Sequence, residues 1–324
     1  MKLAFVFTAG IALLSSLSAC KPTQVEYEVN VTPYKDNKAC AISFTYDDGM
    51  LCHYSDIAPE LEKRGFRGTF WIIGANMDKL EPDYPWMTWE QVADLANRGH
   101  EMSNHTWTHP ALTSLSAEEV KRELWLCDSV LEARTGIRPI TMAYPYNAMS
   151  PEVVALCEEG RVGTRTFQEG HGQANSFSSP ESMENWLQEQ ISNHSWGVTM
   201  THGTTYGWDL WNDPQQLYDF YDVVKNAEDS VWVGTFAEVA SYLKEREAVQ
   251  ISANGTTNAC QITCTNPLDT LLYHEPLTLR LSGHHWQGKQ VRAQQGATTR
   301  KVINADSCLF VEFAPCNTPL SLAW

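Results

Sequence analysis

The chain has 324 residues, 43% of them hydrophobic, and carries a formal net charge of −16 at pH 7. So acidic a protein is not expected to bind nucleic acid or strongly anionic polymers. The length suits one large domain together with a small one. Twelve tryptophans exceed what a core needs. Aromatic faces suit the apolar faces of sugar rings, so this composition favours a carbohydrate ligand.

The first 19 residues have the pattern of an export signal, with a positive charge, an apolar run too short to span a bilayer, and small residues at the end. Leu17-Ser18-Ala19-Cys20 resembles the lipobox of bacterial lipoproteins. We therefore expect residues 1–19 to be a signal peptide and a lipid on Cys20 to anchor the exported protein to the cell envelope. Lys21 favours the outer membrane of a Gram-negative host. The alternative is an ordinary cleavage site with an incidental cysteine.

Residues 20–37 are predicted to be a polar tether, and residues 38–247 alternate short β-rich segments with amphipathic helices. This regular alternation predicts a parallel sheet or barrel with helices outside. Active sites in such folds gather at the C-terminal ends of the strands. The predicted strands are 40–46, 67–73, 100–104, 139–144, 161–166, 197–201 and 231–233.

Residues 248–324 lose the helical pattern and are predicted to form a small all-β domain. Two short alternating runs flank Asn254-Gly255, which predicts a hairpin turn at that dipeptide.

The cysteines predict disulfides, because nine cysteines less Cys20 leave an even number in an oxidising compartment. Cys127 and Cys157 could bridge neighbouring helices. Cys40 and Cys52 bracket a strand and lie too far apart to bond unless the loop folds back. Four cysteines form a C-terminal cluster in which three disulfide pairings are possible: Cys260, Cys264, Cys308 and Cys316.

Two pairs of polar residues at predicted strand ends indicate a metal site. His105 and His109 lie one helical turn apart, so their imidazoles can converge on one ion. Asp47 and Asp48 end the first strand, and adjacent side chains point in different directions, so one can bind metal while the other stays free. Two histidines and one carboxylate leave positions open for water and substrate, as catalytic zinc requires. Asp-Asp-Gly alone would more often be a solvated turn, but the histidine pair reverses that preference.

His202 ends a late apolar strand, directly before a glycine. An isolated histidine there would more often be structural. A third histidine at a strand end fits a general acid.

Four segments resemble, in order, successive motifs of the polysaccharide deacetylases, the NodB-homology family or carbohydrate esterase family 4: residues 46–49, 99–109, 144–146 and 200–203. The resemblance implies a distorted (β/α) barrel of the polysaccharide deacetylase type over residues 38–247. It also implies a hydrolase that removes acetyl groups from a polysaccharide or oligosaccharide, with N-acetylglucosamine-type substrates preferred.

The resemblance further implies a role for each motif residue. One divalent metal ion, expected to be zinc, would be held by Asp48, His105 and His109. Asp47 would take a proton from the attacking metal-bound water. The backbone N–H of Tyr146 would help to stabilise the tetrahedral oxyanion, and His202 would protonate the leaving amine or alcohol.

The chain departs from the family pattern in two places. Ala143 stands where the family usually has an arginine, and no Asp-x-x-Asp-Trp motif is recognisable between residues 160 and 197. Strand alternation puts Arg165 on the same face as Gly163, near the C-terminal end of the next strand. We predict that Arg165 replaces the missing arginine and keeps Asp47 ionised. The alternative is a surface arginine in an ion pair worth under about 1 kcal/mol.

Other functions remain open from the sequence. An O-acetyl esterase acting on xylan-like glycans would use the same motifs. A non-catalytic carbohydrate-binding lipoprotein with a vestigial metal site is disfavoured, because the full set of motif carboxylates and histidines is retained. A retaining glycosidase is weaker still, since its paired carboxylates need no histidine-rich metal site. The sequence does not determine the oligomeric state.

Overall fold

The computed structural model describes residues 24–79, 81–172, 179–204, 206, 211, 213–305 and 307–324. The predicted signal peptide and Cys20 lie outside these residues. Among the helices that are described, none combines the length and the hydrophobicity that crossing a bilayer would require.

Two short strands lie within the segment predicted to be a tether, so that prediction is wrong over residues 24–31. The strands are β1 (Gln24–Glu26) and β2 (Val29–Val31). β1 pairs antiparallel with residues 254–256, and β2 pairs antiparallel with residues 279–281. Apolar side chains at every second position, from Val25 to Val31, pack against the core of the C-terminal domain. This alternation suits a half-buried strand.

A parallel sheet forms the centre of the large domain. Its strands are β3 (Cys40–Tyr46), β4 (Thr69–Ile72), β5 (Glu101–Asn104), β6 (Thr141–Ala143), β7 (Gly163–Arg165), β8 (Glu169–Gly170), β9 (Trp196–Thr201) and β10 (Val231–Val233). The strand order is β7-β6-β5-β4-β3-β9-β8, with β10 beside the first half of β3. β3 is buried along its whole length, as expected for a central parallel strand. The sheet curls into the open, distorted barrel that the sequence predicts.

Helices cover this sheet: α1 (Ala58–Lys63), α2 (Trp89–Asn97), α3 (Ala117–Thr135), α4 (Pro151–Glu158), α5 (Pro180–Asn193), α6 (Gln215–Asn226) and α7 (Phe236–Ala248). Capping boxes begin α2, α3, α5 and α7. Each satisfies two backbone N–H groups at the helix start. In α3 the predicted apolar stripe is buried, from Val120 to Leu131.

The C-terminal domain consists of two antiparallel sheets with a core of their own. Its strands are β11 (Gln250–Thr256), β12 (Ala259–Thr265), β13 (Leu277–Ser282), β14 (Arg292–Gln295), β15 (Thr298–Thr299), β16 (Val302–Asn304), β17 (Cys308–Phe313) and β18 (Leu320–Ala323). The hairpin turns at residues 257–258, three residues later than predicted. Gly255 lies inside β11, where a Cβ atom would sit 2.1 Å from the Ala259 carbonyl oxygen, so glycine permits a close approach rather than a turn.

The two domains meet at the end of the barrel where β3 and β10 begin. Tyr34, Ala41, Trp232, Tyr242 and Leu277 belong to one buried cluster there. The hydroxyls of Thr32 and Tyr242 lie 2.9 Å apart within this interface. The C-terminal ends of the parallel strands are therefore at the opposite end of the barrel from the small domain.

The eight cysteines between residues 40 and 316 are free thiols in the structure, which contains none of the predicted disulfides among them. Cys127 and Cys157 belong to different buried clusters. Cys260 and Cys264 are four residues apart on one strand, a separation that exceeds the reach of a disulfide.

Candidate active site

The parallel register brings three polar strand ends to one level. Tyr46 at the end of β3 pairs with Thr201 at the end of β9, so Asp47 and His202 follow neighbouring strands side by side. The Asp47 backbone N–H donates to the Thr201 carbonyl across 3.1 Å. His105 follows the end of β5, two strands away on the other side of β3.

Asp48, His105 and His109 place three ligand atoms in a triangle. The Asp48 Oδ1 atom lies 3.5 Å from His105 Nε2 and 3.6 Å from His109 Nε2, and the two ring nitrogens are 3.2 Å apart. A tetrahedral ion with ligands at about 2.0–2.1 Å keeps those ligands about 3.3 Å apart. The observed triangle therefore fits a zinc-sized cation.

The surroundings of the triangle also fit a cation. The His105 Nδ1 atom lies 2.9 Å from the Ala143 carbonyl oxygen, which leaves Nε2 for the site. No residue in the described part of the chain hydrogen-bonds to the buried Asp48 Oδ1 atom. An unsatisfied buried acceptor needs an explanation, and a metal ion supplies one.

The protonation states suit metal binding as well. Burial and the neighbouring His105 lower the pKa of His109 to about 4, so its imidazole is neutral at pH 7. Burial alone would raise the pKa of Asp48, but the electrostatic interaction with the neighbouring His105 outweighs burial and holds that pKa below its usual range. A neutral imidazole and an ionised carboxylate are the forms that bind metal.

Backbone strain is concentrated at these residues. Asp48, Thr106, His109 and Tyr146 have φ values of 84°, 68°, 63° and 57°. Non-glycine residues rarely adopt the left-handed region, and such strain persists only where the surroundings hold it. Here the Asn104 side chain accepts the Thr106 N–H at 2.7 Å, and the Thr106 hydroxyl oxygen accepts the His109 N–H at 3.0 Å.

Arg165 forms a two-pronged ion pair with Asp47. The Nη1 and Nη2 atoms of Arg165 donate to Oδ1 and Oδ2 of Asp47 across 2.6 and 2.5 Å. The guanidinium also donates to the Thr45 hydroxyl and lies 5.5 Å from the Trp71 ring centre. Arg165 is 1% exposed, so the interpretation as a surface arginine is wrong. Its register partner on β6 is Ala143, the residue at the family's arginine position.

The pair sets the charge state of Asp47. Burial would raise the pKa of this carboxyl, but the charge and hydrogen bonds of Arg165 outweigh burial and hold that pKa far below its usual range. Asp47 is therefore ionised throughout the neutral range and fixed in orientation.

A cavity of about 350 Å³ opens onto these groups. It is lined by Asp47, Asp48, His105, His109, Tyr144, Tyr146, Asn147, Gln168, Met200 and His202. The Tyr146 ring is 71% exposed and lies 4.6 Å from the His109 ring centre. Thus six residues predicted from the sequence share one cavity, and Arg165 lies behind Asp47.

Comparison with known proteins shows which family this chain resembles. Residues 34–159 match the family model described as polysaccharide deacetylase. This part of the chain is similar to polysaccharide deacetylases. The matched stretch carries Asp47, Asp48, His105, His109 and Tyr146, and the family expected from the motifs is confirmed.

Curated relatives match part of the chain. A chitin deacetylase of Pestalotiopsis sp is 28% identical over 47% of this chain and 50% of its own length. A peptidoglycan-N-acetylglucosamine deacetylase of Bacillus cereus is 30% identical over 35% of this chain and 38% of its own length. The chain thus spans half or less of these relatives.

A solved structure supports the fold. A candidate polysaccharide deacetylase from Mycobacterium smegmatis superposes with a TM-score of 0.53 at 17% identity. The superposition covers 70% of this chain and 96% of that one. At this identity the likeness concerns the fold alone, and it agrees with the distorted barrel expected for the deacetylase domain.

Helix α3 supports the loop that carries His105 and His109 through two carboxylates that the sequence analysis missed. Asp128 accepts a hydrogen bond from Asn104 at 2.6 Å and pairs with Arg161 at 2.5 Å. Glu123 accepts the N–H and hydroxyl of Thr108 at 2.7 and 2.8 Å. The only sequence signal is acidic residues on a helix beside the loop, which is also typical of a solvated face.

A larger cavity of about 680 Å³ lies away from this chemistry. Its lining includes Glu101, Ile137 and Leu271. The carboxylate of Glu101 is already hydrogen-bonded, by Thr69, Thr141 and the Ala237 N–H. The smaller cavity is therefore the candidate active site.

Proposed function

We propose that this protein is a metal-dependent hydrolase that removes acetyl groups from a polysaccharide or oligosaccharide, with N-acetylglucosamine-type substrates preferred. The convergence of the Asp48, His105 and His109 triangle with ionised Asp47 and His202 in one cavity carries the proposal. The printed names of the relatives, chitin deacetylase and peptidoglycan-N-acetylglucosamine deacetylase, support this substrate class.

The metal would be held by Asp48, His105 and His109, and we propose zinc because two of the three ligands are imidazoles. When bound, such an ion lowers the pKa of water and polarises a carbonyl.

Asp47 would act as the general base, because it is ionised and cannot rotate away from the cavity. Its two oxygens are held by Arg165, so the proton is taken from the attacking water in a fixed geometry. The low pKa makes Asp47 a weak base, which would suit a water whose own pKa a bound cation had lowered.

His202 would donate a proton to the departing nitrogen or oxygen as the bond to the acetyl carbon breaks, so that acetate and a free amine or alcohol leave. Asp47 and His202 follow neighbouring strands and line the same cavity, which supports a paired base and acid. The backbone N–H of Tyr146 would stabilise the oxyanion that precedes bond cleavage.

The decisive experiment measures acetate release from four substrates: chitooligosaccharides, peptidoglycan, poly-N-acetylglucosamine and acetylxylan. The protein is assayed as purified, after chelation, and after zinc is restored, with a His105→Ala, His109→Ala double variant as the control. Chelator-sensitive release from the N-acetylated substrates is expected. Release from acetylxylan alone would make the protein an O-acetyl esterase, and glycan binding without release would make it a binding protein.

We also propose that a lipid on Cys20 anchors the exported protein to the cell envelope, at the outer membrane. Residues 21–23 separate Cys20 from β1, the edge strand of the small domain's six-stranded sheet. Even fully extended, that link reaches roughly 13 Å. The small domain would then sit at the membrane, and the cavity at the far end of the barrel would face away from it. Fractionation of a Cys20→Ser variant tests this, because membrane retention of that variant would contradict the anchor.

A further inference from the structure

A π-helical turn, His53–Ile57, follows the loop that carries Asp47 and Asp48. Such turns are rare and frequently occur at functional sites. Side chains in and beside this turn contact the loop after β9, which carries His202. Building on the proposed function, we infer that the turn is a clamp that fixes His202, and that His53 is its main positioning residue.

His53 makes the central contact of the clamp. Its Nε2 atom lies 2.6 Å from the His202 carbonyl oxygen, and because a carbonyl can only accept, Nε2 carries the proton and donates. The ring is fully buried and packs against Tyr46 and Phe70, with ring centres 5.8 and 5.3 Å away. Burial lowers the pKa of His53 to about 4, which keeps the imidazole neutral in the neutral range.

One neighbouring residue of the turn adds a further contact to the same loop. The Thr204 hydroxyl donates to the Asp56 carboxylate at 3.2 Å. The loop itself is tightly packed, because a Cβ atom on Gly203 would lie 2.1 Å from the Tyr206 carbonyl oxygen.

The clamp has a consequence for catalysis. Asp47 precedes the turn in the chain, and His202 follows strand β9, which pairs with β3. The turn therefore connects the segment that carries the proposed base with the segment that carries the proposed acid. A displacement of about 1 Å in a reacting group can lower a rate by roughly a hundredfold. Loosening the clamp should therefore impair the step that needs His202 and spare steps that do not.

Two substrates separate these steps. An N-acetylated chitooligosaccharide needs a protonated leaving amine, whereas 4-nitrophenyl acetate releases a phenolate that departs unprotonated. His53→Phe keeps the ring and removes the N–H, so kcat on the amide should fall about tenfold or more while kcat on the ester changes much less. His53→Gln restores an N–H donor and should recover most of the amide activity. His202→Ala sets the largest amide-to-ester change that loss of the acid can cause.

A matched control is His100→Phe, which changes another buried histidine packed on Phe70, near the opposite end of the sheet. Its amide-to-ester ratio should equal that of the wild type, whatever happens to stability. If His53→Phe does not fold, Asp56→Ala decides the question, because it removes the Thr204 contact from a partly exposed position and should give the same selective loss at smaller size.

Equal losses of kcat on the amide and on the ester would overturn the proposed clamp. So would unchanged kcat on the amide in both His53→Phe and Asp56→Ala. A wild-type protein that hydrolyses neither substrate would instead overturn the proposed function.

Discussion

Arg165→Ala tests the orientation of the proposed base. The substitution leaves Asp47, which is 4% exposed, as a buried carboxylate without its guanidinium. Removing one partner of a buried ion pair typically destabilises a protein by about 3–5 kcal/mol, because a buried charge is left uncompensated. We expect a loss of this order in urea unfolding, and a fall in kcat of at least about a hundredfold from the freed base.

The pH profile gives this prediction a direction. In the wild type, burial raises the pKa of Asp47 and Arg165 outweighs that effect. Without Arg165 only the raising influence of burial is left, so the acid limb of kcat should move to higher pH. The ion pair contributes stability above the unfolded carboxyl's pKa of about 3.9, so the variant's deficit should be largest at neutral pH and shrink in acid.

A second variant tests whether an arginine on strand β6 can replace the one on β7 as the partner of Asp47. Ala143 and Arg165 are register partners on adjacent strands, so an arginine at 143 can enter the space that Arg165 vacates. The Ala143→Arg, Arg165→Ala double variant should recover much of the lost kcat, whereas Ala143→Arg alone should be destabilised by overpacking. Metal content should be unchanged throughout. Normal turnover in Arg165→Ala, or a loss without any shift of the acid limb, would refute the reasoning.

Three further outcomes are expected. The His105→Ala, His109→Ala variant should lose its divalent ion in metal analysis of purified protein, and full occupancy would exclude the proposed site. Burial raises the pKa of Glu245 to about 8. Ionising this carboxyl therefore costs more free energy in the folded protein than in the unfolded chain. Glu245→Gln should therefore match the wild type near pH 4.5 and exceed its unfolding free energy by roughly 4–5 kcal/mol at pH 8.5, measured in urea. Truncation after Ala248 should expose the interface around Tyr242 and cause aggregation, so a stable truncated protein with weakened polymer binding would show that the small domain contacts substrate instead.

The motif residues illustrate how much local sequence determines. Asp47, His105 and His202 each follow a largely buried strand, and parallel strands in register bring their C-terminal ends to one level. That rule needs only the order of the elements, so six of the ten residues that line the cavity could be predicted without coordinates. The predicted strands differ from the observed ones mainly at their ends, as for β4 and β6, and the two-residue strand β8 was not predicted.

Other features depended on contacts that no local pattern encodes. The two N-terminal strands pair with residues more than two hundred positions away, and short polar segments acquire a β conformation only when a partner strand completes their hydrogen bonds. The hairpin turn was misplaced because Asn-Gly serves both tight turns and close backbone approach, and only the neighbouring strand decides which.

The sequence by itself determined the family, the alternating α/β architecture, and the polar residues gathered at the strand ends, because these follow from periodicity, motif spacing and strand order. Only the tertiary structure decided what holds those residues in place. Arg161, Asp128 and Asn104 come from three separate segments, and His53 reaches a carbonyl 149 residues further along the chain. Such supports rest on single hydrogen bonds between distant elements, whose partners are selected by packing geometry rather than by any neighbouring residue.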